Sequence, residues 1–104
     1  MKIIRDFQGL AVRLTDERLA HILAHPEMAA MENAIEETLA HPERVIQSTS
    51  DEQARLSYRL YTGTKVGDKY LCVVVKVTKE DAFVITAYLT DTIKRGIMLW
   101  LKNN

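Results

Sequence analysis

The chain has a single cysteine, only two prolines, no excess of charge of either sign and no apolar run of membrane-spanning length. Each shortage excludes something. One thiol cannot close an internal disulfide, and Cys72, set within a strongly apolar stretch, reads as a buried and inert side chain. Fourteen basic residues balance fourteen acidic ones, which argues against coating nucleic acid by bulk attraction while leaving room for a local basic site. Met1 to Asp6 contain no apolar core of signal-peptide length, so no membrane association and a cytoplasmic location are the expectation. With 104 residues, 47% hydrophobic and 27% charged, the chain suits one globular domain, residues 1–104, around a single core.

The most informative stretch is Tyr70 to Thr78, a β-branched and apolar run interrupted by one cation, Lys76. Bounded by Gly67-Asp68 and by Lys79 to Asp81, it predicts a strand covered on at least one side. Arg55 to Tyr61 and Ala82 to Thr90 are strand-like too, so the three predict an antiparallel meander with short polar turns. Upstream, Leu10, Val12 and Leu14 alternate with polar or small residues, the period of a short strand. Thr15 then offers a hydroxyl cap, with Asp16 and Glu17 in a first helical turn and Leu19, Ile22 and Leu23 as the apolar stripe. Pro26 ends that helix and opens a second, whose Met28, Met31, Ala34, Ile35 and Leu39 recur at helical spacing. Pro42 closes it, Val45 to Ser48 read as a short strand, and Ser48 to Glu52 as a polar turn. The pentapeptide Leu-Ala-His-Pro-Glu occurs at Leu23 and again at Leu39, which is repeated helix-stop chemistry and not a repeat architecture.

Side-chain alternation places Leu56, Tyr58 and Leu60 on one face with Leu71, Val73, Val75 and Val77 and with Phe83, Ile85, Ala87 and Leu89, under the helices. The other face then shows Arg55, Arg59, Tyr61, Tyr70, Lys76, Thr86 and Tyr88. Asp91 to Trp100 read as a short helix docking Ile93, Ile97 and Trp100, weakened by Gly96. The expected fold is therefore α+β: N-terminal helices packed on one face of a four- to five-stranded antiparallel sheet, with a short C-terminal helix.

Several of these segments together carry a resemblance. Arg13 to Ile22, His25 to Met28, Tyr70 to Lys76 and Thr86 to Lys94 resemble the phage-associated and bacterial members of the barnase, EndoU, colicin and RelE-like nuclease superfamily. The likeness runs from about Val12 to Trp100. It implies metal-independent endoribonuclease activity without a cofactor, RNA as substrate, and, for a toxin or prophage effector, a separately encoded antitoxin or immunity protein. By motif position His21 matches the histidine of the Glu-Arg-x-x-His helix, Thr86 and Tyr88 match the last-strand Thr-Ala-Tyr, and Arg59 and Lys76 match basic residues of the middle strands. The neutral net charge departs from the more basic nucleases.

Cleaving RNA without a metal needs a base for the 2′-hydroxyl, an acid for the leaving oxygen, and donors for the crowded phosphate. An imidazole titrates near neutrality, which makes His21 the candidate base or acid. Arg59 offers a planar fork, Lys76 a point charge, Thr86 a hydroxyl donor, and Tyr88 a ring or hydroxyl; Tyr61, Arg55 and His25 are the expected substrate contacts. Each has a plainer reading: His21 as a hydrogen-bonded helix residue, His25 and His41 as turn residues before proline, Arg59 and Lys76 as solvated cations. No metal site is expected, since no Glu follows His21 and Pro26 disturbs the geometry at His25. If the helices cover one face, His21 meets Arg59 and Lys76 only round a strongly twisted sheet edge. Alternative functions are a non-catalytic protein- or RNA-binding module on the same scaffold, and a self-associating domain built on Trp100.

Overall fold

A computed structural model describes residues 1–103. In chain order it contains β1 (Lys2–Arg5), β2 (Ala11–Leu14), α1 (Asp16–Leu23), a single 3-10 turn (Pro26–Met28), α2 (Glu32–Ala40), β3 (Arg44–Ser48), β4 (Ala54–Thr64), β5 (Gly67–Val77), β6 (Ala82–Thr90) and β7 (Gly96–Leu101). All the strands join one sheet in the order β1, β2, β6, β5, β4, β3, β7. Neighbours are antiparallel except β2 and β6, which run parallel.

This corrects the expected architecture in three ways. The sheet has seven strands and mixed direction in place of four or five antiparallel ones. The C-terminal segment is strand β7, not a helix, because Gly96 to Leu101 has no polar stripe to turn toward water and instead pairs with β3. Gly96 also runs so close to the Gln47 carbonyl and the Ile46 side chain that no Cβ fits there. Finally, the second helix is split, with residues 29–31 separating the 3-10 turn from α2.

Local chemistry accounts for the helices. The Thr15 hydroxyl accepts from the Arg18 N–H at 3.1 Å, and Asp16 and Glu17 occupy the first turn of α1. Ile22 from α1, Met28 from the 3-10 turn, and Ile35 and Leu39 from α2 are buried against Leu71, Val73 and Val75 of β5 and Val84 and Ala87 of β6. α1 lies over β6, and α2 over β4 and β5. Lys2 of the edge strand β1 ties down α2 through Glu32 and Glu36, at 2.7 and 2.6 Å.

Register shows that β4 faces the opposite way from the alternation-based expectation. Arg55, Ser57 and Arg59 pair with Val75, Val73 and Leu71 on the helix side, while Leu56 and Tyr58 pair with Val74 and Cys72 on the far side. A bulge opposite Val74 and Val75 likewise turns Val84 and Ala82 into the helix-side core and leaves Phe83 paired with Lys76. Alternation reveals a period but not which side is inward. Here both sides are covered, so the apolar residues of β4 serve the second, smaller core of Ile46, Leu56, Tyr58 and Cys72.

What covers the far side is the link between β6 and β7. Through the intervening antiparallel pairings β6 and β7 point the same way, so residues 91–95 must cross over β5, β4 and β3. On a flat sheet the link would have to span four strand spacings, about 19 Å, and also run back along the strands, which lies beyond the reach of six Cα steps, about 21 Å. It closes because sheet twist raises diagonally opposite corners toward one another. Ile93 packs on the far-side core and the Lys94 N–H donates to the Tyr58 hydroxyl at 3.1 Å.

Candidate functional site

Where this strap passes the β3–β4 turn it leaves an open cleft of about 540 Å³ on the far side. Ser48, Thr49, Ser50 and Asp51 of the turn form one wall, Thr86 and Tyr88 of β6 another, and Lys94 and Arg95 of the strap the third, over Leu56 and Val74. The turn is held by its own hydroxyls: the Ser48 hydroxyl accepts from the Ser50 N–H at 3.2 Å and lies 3.0 Å from the Ser50 hydroxyl. Lys76, behind Asp51, donates to its carboxylate at 2.7 Å. That hydrogen bond, aided by the Gln53 N–H, holds the Asp51 carboxyl below its ordinary range. Asp51 is thus neutralised, whereas Lys94 and Arg95 are exposed and make no ion pair among the described residues. The Lys94 ammonium lies 5.9 Å from the centre of the Tyr88 ring.

Beneath the cleft, Tyr58, Cys72 and Tyr88 form a buried polar group. Burial pushes the Tyr58 phenol up to about 12, opposed by the Lys94 N–H, and raises the Cys72 thiol, opposed by Tyr88 and Tyr58. The Tyr88 hydroxyl is wholly buried with no hydrogen bond of normal geometry. Burial and the neighbouring Cys72 sulfur, a weak acceptor, drive its ionisation far upward. None of these groups is poised to exchange a proton near neutrality.

The structure brings together Lys76, Thr86 and Tyr88 from the expected catalytic set and separates them from the rest. His21 stands on the solvent side of α1, in a shallow depression with Glu17, Ala20 and Ala24. His25 is exposed before the 3-10 turn, its Nδ1 4.0 Å from Glu27. Arg59 is on the helix side, where it donates to the His41 carbonyl at 2.8 Å and lies 3.4 Å from the Glu37 carboxylate. Tyr61 donates to the same carboxylate at 2.6 Å, and its phenol is pushed up to about 12 by burial first and by Glu37 second. Arg55 reaches Gln8 in the β1–β2 turn at 3.5 Å. Arg59 and Tyr61 thus anchor the C-terminal half of α2, and no histidine lines the far-side cleft.

Six polar cleft residues had no place in the expected site: Ser48, Thr49, Ser50, Asp51, Lys94 and Arg95. The polar turn and the adjacent cations are visible in the sequence, but only the strap's crossing joins them. Among the described residues no group of three or more His, Cys, Asp or Glu side chains is gathered to hold a metal, and no helix is long and apolar enough to cross a membrane. Comparison with protein-family models, curated proteins and solved structures found no match to this chain. The likeness to the nuclease superfamily rests on the quoted residues alone.

Proposed function

We propose that the domain is a cytoplasmic RNA-binding module that takes a backbone phosphate of single-stranded RNA in the far-side cleft. The observation that carries this reading is the meeting of two cations without an ion pair among the described residues, Lys94 and Arg95, with the hydroxyl-bearing residues Ser48, Thr49, Ser50 and Thr86 in one cleft. Cations and hydroxyl donors together suit a phosphate, and the Tyr70 and Tyr88 rings on the same face offer surfaces for an unpaired base. Binding without cleavage is favoured because the cleft has no histidine, its carboxyl is held low and its phenols and thiol are held high.

A second reading keeps metal-independent endoribonuclease activity in the same cleft, supported by the presence there of Thr86 and Tyr88 and by Lys76 paired to the cleft residue Asp51. In that reading the cations stabilise the pentacoordinate phosphate, and a restraining antitoxin or immunity protein is implied. One experiment separates the two. A labelled single-stranded oligoribonucleotide is titrated in EDTA against the parent, Lys94→Gln and Arg95→Gln, and the RNA is then run on a denaturing gel. The module reading expects intact RNA, severalfold weaker binding by each variant, and a salt slope shallower by about 0.7 for each lost phosphate contact. RNA cut by the parent and spared by Lys76→Ala selects the nuclease, and equal binding by all three proteins removes the cleft from both readings.

A further inference from the structure

On the helix side, where the two ends of the sheet come together, lies a second cleft of about 620 Å³. It owes its existence to the curl of the sheet: Phe7, in the turn after β1, meets Trp100 of β7, the opposite edge strand, with ring centres 5.2 Å apart and planes tilted by 44°. Phe7 is fixed there by its N–H, which donates to the Leu39 carbonyl at 2.9 Å. Trp100 is consequently braced from one side and left half-exposed to the cleft. Around this ring stand Arg59, Lys102 and His41.

The charges are not all consumed by the fold. A guanidinium carries five donors, and Arg59 commits one to the His41 carbonyl and its Nε to Glu37, which leaves the others for a ligand. Glu37 is in turn occupied by the Tyr61 hydroxyl as well as Arg59. Lys102 makes no ion pair among the described residues. The cleft therefore combines a braced indole face, a half-free planar fork and a free ammonium, within the size range of small-molecule sites, roughly 300–1,000 Å³.

The geometry points to a mononucleotide site, in which the base stacks on Trp100 and the phosphate is held between Arg59 and Lys102. This site lies across the sheet from the RNA cleft and does not depend on that reading. An aromatic ring alone would use the indole and leave the cations idle; inorganic phosphate would use the cations and leave the indole idle. A nucleotide satisfies both.

Trp100 is the only tryptophan, so its fluorescence reports this cleft directly. The full chain is titrated with AMP, with adenosine and with inorganic phosphate. The expected result is saturable quenching by AMP, at least about tenfold weaker quenching by adenosine, and none by phosphate, from the loss of a charge-assisted contact. Lys102→Gln, an exposed change, is expected to weaken AMP severalfold and leave adenosine unaltered. Arg59→Lys keeps the charge but loses the fork, and lowers AMP affinity in the same selective way. Absence of saturable quenching by AMP, or an AMP-to-adenosine preference unchanged in Lys102→Gln, overturns the site.

Discussion

On the helix side of the sheet thirteen buried residues form one apolar cluster with α1 and α2, whereas the far-side cluster has four, Ile46, Leu56, Tyr58 and Cys72, with Ala54 buried beside it, beneath a link of five residues. Burying an aliphatic side chain contributes roughly 1.5–3 kcal/mol, so the helix side supplies most of the folding energy. A strap cannot exclude water as two helices do. It leaves a cleft beside it, and the packing of Ile93 and the Lys94–Tyr58 hydrogen bond hold it over the sheet. The face that contributes less to stability is thus the one on which cations and hydroxyls can be presented to a ligand.

The sharpest way to break this contrast is to cut into each core in turn. Leu71→Ala, at a fully buried helix-side position, is expected to destabilise the protein by about 2–5 kcal/mol in urea unfolding, and so to depress RNA binding only by unfolding it. Tyr58→Phe removes the acceptor for the Lys94 N–H together with the hydroxyl beside the Cys72 sulfur and is expected to cost about 1 kcal/mol. If the strap positions the cleft, Tyr58→Phe weakens RNA binding severalfold while the protein remains folded. Equal RNA affinity in parent and Tyr58→Phe would show that the strap is held by Ile93 packing alone.

How much of this was legible in the sequence varies with the range of the interaction. The Thr15 cap, the buried stripe through Ile35 and Leu39 and the central strand at Tyr70 to Val77 are local matters, carried by neighbours in the chain. The orientation of β4 is not local. Arg55, Ser57 and Arg59 look like an outer face until Gln8, Glu37 and the His41 carbonyl are seen to receive the arginines at the ends of the helix layer. β7 was hidden for a related reason: an uninterrupted apolar run after Gly96 has no period, and its strand character comes from pairing with β3, some fifty residues earlier in the chain. The site suffered most, since Lys94 and Arg95 meet Ser48 to Asp51 only across a sheet whose twist and strand order the sequence does not display.

The smallest expected effect distinguishes the two faces by their tyrosines. Tyr58 on the far side and Tyr61 on the helix side each have a phenol pushed from its ordinary value of 10.0 up to about 12, chiefly by burial. Folding therefore favours the protonated form of both. The stability this contributes is complete below pH 10, where the unfolded phenols are also protonated, and is lost as the pH rises through about 12. Urea midpoints measured across that interval are expected to fall in the parent and to fall less steeply in Tyr58→Phe and in Tyr61→Phe. The partners differ, however: Tyr61 donates to a carboxylate, so its ionisation also sets two negative charges against each other at Glu37 and loosens the end of α2. Tyr58 accepts from a backbone N–H, which a phenolate accepts as well, so its ionisation disturbs the strap less. These partner effects are already contained in two shifts of similar size, so Tyr61→Phe and Tyr58→Phe should flatten the alkaline decline by similar amounts, and a clear difference would mean that one face closes on its phenol more tightly than the other.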